Sequence, residues 1–265
     1  MRLDKFLVES FQGTRKQVRL EILHGKVKVN DQIPLDPAVD IDENMDKVEY
    51  GGTKVVYPGK LYYMFHKPSG CITARSDEVH KTVFDYMEEP LRKGLFAVGR
   101  LDKDTEGLLL LTNDGEFDYQ LMHPTHHVEK TYFFWALGTL EPEDVRRIEE
   151  GLYLEGEDEI TKPAKLKLSK WGSYKVLSKE IPMADENNMT QNSYEQSVVS
   201  GYLTITEGRK HQVKRMLKAV GCYVVYLKRC SIGEVTLDPY LEKGTYRPLR
   251  EEEIRLLRKN KQNLT

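Results

Sequence analysis

The chain has 265 residues, and its 40 Lys or Arg and 42 Asp or Glu leave a formal net charge of −2 at neutral pH. This length suits two domains, or one large domain and one small domain. The four leucines at 108–111 are far too short a run to cross a bilayer, and the N-terminus lacks the apolar core of a signal peptide. The three widely spaced cysteines argue against a disulfide framework and against a zinc site. We therefore expect a cytoplasmic protein that does not bind membranes.

The first 30 residues predict two short helices followed by a strand. Apolar residues at helical spacing predict the first helix over residues 2–10. Thr14 and Gln17 have the spacing of a capping box, so a second helix should begin there and end at Gly25. Residues 26–30 alternate between apolar and polar side chains, which is typical of a strand with one solvated face.

Basic residues are concentrated in two separate blocks of the chain. Residues 1–30 hold seven Lys or Arg against three Asp or Glu, and residues 207–230 hold seven against one. Either block alone is best explained as a solvated helix face, but two such blocks on a near-neutral chain favour nucleic acid as a partner. Three side chains on one side of the second helix are the first candidates for RNA contacts: Arg15, Lys16 and Arg19.

The N-terminal residues resemble a known RNA-binding unit. Residues 2–7, 14–18 and 25–30 together are similar to the S4 module, a small α/β domain. The resemblance implies binding to structured RNA through phosphate contacts, which position a protein but carry little sequence information. Turn and linker residues follow between 51 and 59. We predict an S4-like domain over residues 1–58 and a larger domain over residues 59–265.

The larger domain mixes short strands, turns and a few helices. Residues 61–66 and 202–206 predict strands, and residues 141–150 predict a helix. A short helix is also expected at 81–87. This mixture predicts an α+β domain built around a mainly antiparallel mixed sheet. Residues 184–198 are polar and aperiodic, which predicts a surface loop.

The most charged segment of this domain, residues 100–107, lies between two apolar segments that predict strands. Because carboxylates near a core must be paired or used in chemistry, three acids are candidates: Asp102, Asp104 and Glu106. Two cations of the same segment, Arg100 and Lys103, supply counter-charges. We expect the second and third acids to pair with these cations or to orient the loop.

The second basic block predicts a helix from about His211, with apolar side chains inward, followed by a basic strand at 224–229. Lys214 and Lys218 share one helix face at i, i+4 spacing, and Lys210 precedes them by one turn. We predict that this helix and strand together form a basic wall.

Histidines at 123, 126 and 127 raise the alternative of a metal site. Pro124 disrupts a helical placement of the first two, and Glu129 is the one carboxylate close by in sequence. We therefore expect no metal there. His127 and Lys130 are better interpreted as polar groups that face the substrate.

Three segments carry a resemblance to a family of enzymes: residues 99–108, 129–132 and 207–216. Shorter matches follow the same order along the chain: residues 67–70, 227–229 and 232–233. With the S4-like module in front of them, these segments resemble the pseudouridine synthases of the RsuA class over nearly all of the sequence.

The resemblance implies roles for four side chains. It implies one essential carboxylate, which falls on Asp102, and an aromatic ring beside the target base, which falls on Tyr132. It also implies a cationic partner for the carboxylate at Lys214, where many relatives have arginine, and an apolar residue that packs at the site at Leu227. Lysine supplies a point charge without the planar fork of arginine. Arg100 is a candidate for flipping the base or holding a phosphate.

The implied reaction breaks the bond between ribose C1′ and uracil N1, rotates the base and rejoins it through C5. Asp102 can act as a nucleophile at C1′ or as a base at C2′, and the sequence leaves both open. Tyr132 can stack on the base, although residues 131–135 form an aromatic strand that must be mostly core. The uridine must leave its stack to reach the carboxylate, so base flipping is expected. No metal or organic cofactor is required.

The expected substrate is a uridine in ribosomal RNA. Residues 126–132, 160–164 and 244–249 resemble the small-subunit enzyme, which implies a single site in 16S rRNA of the position-516 type. We expect a monomer that binds 16S rRNA or a small-subunit assembly intermediate. Three alternatives stay open: a site in 23S rRNA, a non-catalytic assembly factor, and a metal-dependent hydrolase that uses Asp102, Asp104 and Glu106 as ligands.

Overall fold

The computed structural model describes residues 1–89, 91–182 and 196–259. In these parts of the chain the helices are α1 (Leu3–Glu9), α2 (Arg15–Leu23), α3 (Leu91–Gly94), α4 (Gly115–Met122), α5 (Pro142–Glu150), α6 (Tyr174–Leu177), α7 (Gln212–Ala219) and α8 (Glu251–Lys259). The strands are β1 (Val27–Val29), β2 (Val48–Tyr50), β3 (Thr53–Lys54), β4 (Tyr62–Lys67), β5 (Phe96–Val98), β6 (Glu106–Thr112), β7 (Lys130–Leu137), β8 (Lys165–Ser173), β9 (Ser197–Ile205), β10 (Tyr223–Ile232), β11 (Val235–Thr236) and β12 (Tyr246–Pro248). None of the helices in the described residues is both long enough and apolar enough to cross a membrane.

The N-terminal unit packs α1 and α2 on the three-stranded antiparallel sheet β1-β2-β3. Thr14 and Gln17 form the expected capping box at the start of α2. Asn30 and Asp31 both adopt positive φ, and the backbone groups of Val29 and Gln32 exchange hydrogen bonds of 2.8 and 3.0 Å across them. Asn and Asp tolerate this conformation, so a tight turn forms there without glycine.

The second unit is a nine-stranded mixed sheet whose main path runs β12-β4-β6-β10-β7-β9-β8, with β5 on β6 and β11 on β10. The pairing of β6 with β10 is parallel, and the other pairings of the described strands are antiparallel. The predicted α+β class, with a small N-terminal unit and a mainly antiparallel mixed sheet, is confirmed.

Strand β6 lies at the centre of this domain and is buried on both faces. Leu109 and Leu111 belong to one apolar core, and Leu108 and Leu110 belong to the core on the opposite face. Side chains alternate across a strand, so a continuous leucine run fits a strand that is covered on both sides. Strand β5 pairs with β6 as a hairpin, and the charged segment is the loop between them.

Three expectations need adjustment. The helix expected at 81–87 is a 3-10 turn at Val83–Tyr86, closed by a capping box between Thr82 and Asp85. Glu106 is the first residue of β6 and does not belong to the loop. Of the surface loop expected at 184–198, residues 197 and 198 belong to β9, and residues 184–195 lie outside the described residues.

The close contact between β6 and β10 yields a first prediction. Gly107 has φ of 107°, and a Cβ built there would lie 2.2 Å from the carbonyl oxygen of Arg229. Gly107→Ala should therefore lower the free energy of unfolding by about 3 kcal/mol or more, because strain and overlap with a backbone atom both oppose it. Urea denaturation followed by circular dichroism measures the change.

Gly115→Ala is the matched control. Gly115 begins α4, and a Cβ there meets no atom within 4 Å. This substitution should leave the stability unchanged or raise it slightly. Equal effects of the two substitutions would contradict the steric argument.

Candidate active site

The loop between β5 and β6 is held by a buried lysine. Lys67, at the end of β4, is fully buried, and its Nζ donates hydrogen bonds to the carbonyl oxygens of Pro68 (3.1 Å), Lys103 (3.2 Å) and Thr105 (2.9 Å). Burial lowers the pKa of Lys67 from its usual value. The three carbonyl oxygens satisfy the donors of the ammonium group, so the lysine fixes the backbone on the C-terminal side of Asp102.

A second set of hydrogen bonds fixes the backbone on the N-terminal side of Asp102. The Thr73 hydroxyl accepts from the backbone N–H of Leu101 at 3.1 Å and donates to the carbonyl of Leu101 at 3.0 Å. The backbone N–H of Gly70 also donates to the Lys103 carbonyl at 2.8 Å. Asp102 therefore projects from a loop whose backbone is fixed both before and after it.

Two side chains at the start of α7 face the Asp102 carboxylate. Lys214 Nζ lies 3.5 Å from Oδ2, and His211 Nε2 lies 3.5 Å from Oδ1. The Asp102 side chain is 27% exposed, so it has lost most of its contact with solvent while remaining open on one side. Lys214 also donates to Asp104. The predicted pairing of Lys214 with Asp102 is present in the structure.

The N-terminus of α7 is oriented by a polar cluster. His211 precedes the helix with φ of 51°, a left-handed conformation. The side chain of Gln212 accepts from the backbone N–H of Arg209 at 2.9 Å and donates to Glu207 at 2.6 Å. Arg209 donates to Glu207 and to two backbone carbonyls of residues 159 and 160. These bonds fix the first turn of α7 relative to residues 159 and 160, and the contacts of Lys214 with Asp102 and Asp104 bring it against the β5–β6 loop.

A cavity of about 560 Å³ opens beside Asp102 and is lined by Tyr132 and Arg100 as well. A smaller cavity of about 80 Å³ adjoins it and is lined by Leu227 with the same three residues. The structure therefore brings together the carboxylate, its cation, the ring and the apolar residue that the sequence singled out. Lys210 lies exposed at the edge of the larger cavity.

The geometry also separates the aromatic residues of β7. Phe134 is fully buried in the core, and Phe133 packs with Tyr202 and Tyr226 on the opposite face. Tyr132, 9% exposed, lines both cavities beside Asp102. Of these three rings, Tyr132 is the one placed to contact a base.

The pairing expected between the loop acids and the loop cations is not found. Asp104 pairs with Lys214, and Glu106 accepts from Tyr226 (3.0 Å) and Lys243 (2.9 Å), so neither acid pairs with Arg100 or Lys103. The cause is the strand placement of Glu106, which turns its carboxylate away from the loop towards β10. Burial and Glu106 together raise the pKa of Tyr226.

The second basic block is also less positive than its composition indicates. Arg209 and Arg215 both pair with Glu157, and Arg209 pairs with Glu207 as well. Arg229 is almost fully buried, where its Nε donates to the Leu108 carbonyl at 2.8 Å. In place of the basic wall expected from the sequence, Arg209 and Arg215 are paired with acids, Arg229 is buried, and Lys214 faces Asp102.

The histidine cluster serves side-chain packing. His123 and His126 contact the ring of Tyr119 and each other, and His127 lies 3.1 Å from the Nζ of Lys162. Across residues 1–89, 91–182 and 196–259, no group of three His, Cys, Asp or Glu side chains is arranged to hold a metal ion.

Sequence reasoning missed the functional placement of three residues. Lys67 and Thr73 hold the Asp102 loop, and His211 faces the carboxylate. Lys67 belongs to the 67–70 segment already singled out, and a lysine at the end of an apolar strand is a signal of a buried donor. Thr73 gives no comparable local signal.

The two units and this site define a class of protein. A carboxylate with a cationic partner faces a cavity beside an aromatic ring, in a chain that begins with a small α/β module. The RNA pseudouridylate synthase family model matches residues 61–219, and the S4 domain model matches residues 1–46. The chain belongs to the RNA pseudouridylate synthase family and carries an S4 domain at its N-terminus, as the sequence motifs predicted.

Individual relatives are similar over almost their entire length. An uncharacterized RNA pseudouridine synthase of Bacillus subtilis is 43% identical, over 97% of this chain and 98% of the relative. A ribosomal small subunit pseudouridine synthase A of Haemophilus influenzae is 38% identical, over 97% and 99%. A crystal structure of a pseudouridylate synthase, 36% identical, aligns with a TM-score of 0.62 over 97% of this chain and 99% of that chain.

The loop clamp yields a second prediction. Lys67→Met should reduce the rate of pseudouridine formation by about 100-fold, because three carbonyls lose their hydrogen bond to the ammonium group and the Asp102 loop moves. The rate is measured with an excess of enzyme over an RNA substrate. Substrate affinity should change much less, since Lys67 does not line the cavity.

Lys60→Met is the control for this substitution. Lys60 is a partly buried lysine that pairs with Glu9 and Asp114, away from the loop. An equal loss of rate in both variants would contradict a specific role of Lys67.

Proposed function

We propose that the protein isomerises one uridine of 16S ribosomal RNA to pseudouridine, at the site of the position-516 type, and that Asp102 is the reactive carboxylate. The observation that carries the proposal is the placement of Asp102 between Lys214 and His211 at the wall of a cavity that Tyr132 also lines. The small-subunit names of the Haemophilus influenzae and Escherichia coli relatives support the choice of ribosomal RNA.

The geometry supports a separate role for each side chain around the cavity. The flipped uridine enters the cavity with its base against Tyr132 and its ribose near Asp102. The carboxylate attacks C1′, or removes a proton from C2′, and the electron pair of the C1′–N1 bond leaves with the base. Lys214, 3.5 Å from Oδ2, stabilises the negative charge of the carboxylate. The base then turns, and C5 bonds to C1′ as the bond between Asp102 and C1′ breaks or, on the second route, as C2′ takes its proton back from Asp102. The C5 proton is then lost and N1 gains one.

Arg100 and Leu227 have supporting roles in this proposal. Arg100 lines the cavity next to Asp102, where its guanidinium can occupy the space that the flipped base leaves or hold a phosphate. Leu227 closes the apolar side of the smaller cavity beneath Tyr132. No step in this scheme draws on a cofactor.

The third prediction concerns Asp102. Asp102→Asn should lower the rate of pseudouridine formation at least about 1,000-fold, because the amide can neither attack C1′ nor accept a proton efficiently. The measurement is a pseudouridine map of ribosomal RNA from a strain that lacks the protein, complemented with each variant. Loss of one 16S site that wild type restores and Asp102→Asn does not is expected.

Asp104→Asn is the matched control, since Asp104 contacts the same lysine but is 69% exposed. It should retain activity to within about tenfold. Loss of a site in 23S rRNA instead would show that the substrate is the ribosomal RNA of the large subunit. An unchanged map would leave a non-catalytic assembly factor as the function, and activity that depends on added metal after EDTA treatment would favour a hydrolase.

We also propose that the chain divides at residues 58 and 59 and that the S4 domain anchors the RNA. Arg15, Lys16 and Arg19 are exposed along α2, where phosphates of a structured RNA can reach them. Arg19 lies 3.7 Å from the buried Asp4, which also pairs with Arg2. The three side chains form an exposed row on α2, and the contact with Asp4 partly neutralises Arg19.

The fourth prediction follows from this row. Replacing Arg15, Lys16 and Arg19 by Gln together should weaken RNA binding by at least about tenfold and reduce the salt dependence of log Kd by about two to three. Filter binding at several salt concentrations measures both quantities. The rate at saturating enzyme should stay close to that of wild type.

A triple Gln variant of Lys93, Lys170 and Lys259 is the control, since these exposed lysines lie on other elements. It should bind RNA like wild type. A chain that starts at residue 59 should bind RNA weakly but retain the circular dichroism and cooperative unfolding of the catalytic domain. A truncated chain that cannot fold would show that the proposed boundary is wrong.

A further inference from the structure

The inner wall of the larger cavity contains two buried cations. Lys130 is 6% exposed and Arg229 is 1% exposed, and both line the cavity together with Asp102. Lys130 Nζ donates to the carbonyls of Val128 (2.9 Å) and Leu121 (3.4 Å). Arg229 Nη2 has no hydrogen-bond partner. Within the described part of the chain, neither cation forms an ion pair with a carboxylate.

The sheet places both cations beside Tyr132. Lys130 and Tyr132 are two residues apart on β7, so their side chains leave the same face of the sheet. Arg229 on β10 is paired directly with Tyr132, and side chains of directly paired residues also share a face. The ring of Tyr132 therefore has one cation next to it along its own strand and another across the neighbouring strand.

Two buried like charges without a counter-ion are costly. Each has given up hydration, and their mutual repulsion is stronger in a site that excludes water. Burial, and to a lesser degree the charge of Arg229, lower the pKa of Lys130 to about 8. Lys130 is still mostly protonated at neutral pH, so the pair is positive when the substrate arrives. Negative charge delivered to this wall would offset the cost.

We propose that Lys130 and Arg229 form a subsite for the detached uracil base and stabilise the negative charge on its carbonyl oxygens. The inference rests on the proposed function. When the C1′–N1 bond breaks, its electron pair stays on the base and spreads over N1 and the two carbonyl oxygens. The charge persists until C5 bonds to C1′ and the electron pair is used. Cations fixed in place before this charge develops need no reorganisation to stabilise it.

The depth of the pair favours the base over a phosphate. A flipped nucleotide enters a cavity with its base leading, while its phosphates remain joined to the RNA chain at the mouth. Exposed cations such as Lys103 and Lys210 already stand at the edge of the same cavity and suit phosphates. The two buried cations lie beside the ring on which the base stacks.

The test compares Lys130→Met, Arg229→Met and the charge-conserving Lys130→Arg with wild type. Single-turnover rates are measured on a 16S fragment and on the same fragment with 5-fluorouridine at the target position. Fluorine stabilises the detached anion by itself, and cleavage is measured as loss of the parent nucleoside. Filter binding gives Kd, and thermal unfolding reports on the fold.

The expected result is a rate about 100-fold lower in Lys130→Met with uridine, a much smaller loss with 5-fluorouridine, and a Kd within threefold of wild type. Lys130→Arg should recover most of the rate. Arg229→Met should behave like Lys130→Met if the Arg229 variant folds. If the Arg229 variant does not fold, the comparison of Lys130→Met with Lys130→Arg decides.

Four outcomes would overturn the subsite. A raised Kd with weaker salt dependence and an unchanged rate at saturation would assign the cations to a phosphate. Equal losses on both RNAs, or a lower unfolding temperature with no rescue by arginine, would leave Lys130 with its structural bonds to carbonyls. If wild type forms no pseudouridine, the proposed function fails, and the subsite falls with it.

Discussion

The placement of Asp102 depends on one buried ammonium group. Lys67 donates hydrogen bonds to three backbone carbonyls, and two of these belong to the loop that carries Asp102. A lysine buried at the end of a central strand is costly unless its donors are satisfied, and here the loop supplies the acceptors. The loop and the lysine therefore stabilise each other. A charged segment between two apolar strands is held in one conformation, and Thr73 fixes its other end.

With the backbone fixed, the pairing of each acid determines its role. Glu106 turns into the sheet towards Tyr226 and Lys243, and Asp104 lies exposed against Lys214. Asp102 is left at the cavity wall with Lys214 and His211 at 3.5 Å, close enough to stabilise its charge and too far for a tight bidentate pair. A single lysine shared between two carboxylates leaves the inner one available to a substrate.

Patterns that are local in sequence predicted their structures well, and contacts between distant segments could not be read from the sequence. The Thr14–Gln17 capping box and the leucine strand after residue 106 involve neighbours whose spacing is visible in the chain. The pairing of Glu106 with Lys243 joins residues 137 apart. Composition alone predicted a basic wall at residues 207–230. This was misleading because the acid that neutralises Arg209 and Arg215 lies in another segment, at Glu157. The pairing of Lys214 with Asp102 was predictable from the family motif and from nothing else in the sequence.

The cations around the cavity differ in exposure, from exposed side chains at the mouth to buried side chains at the inner wall. This arrangement fits a nucleotide better than a bare anion. At the mouth they are exposed and screened by solvent, where they attract RNA phosphates at little cost to folding. Beside Asp102, Lys214 is shared with two acids and is neutralised in the free protein. Only Lys130 and Arg229, of the cavity-lining cations in the described residues, combine deep burial with the lack of a carboxylate partner. Folding holds this charge in place at a cost. In the reaction proposed above, the base becomes negative beside these cations and offsets that cost at the step where stabilisation raises the rate.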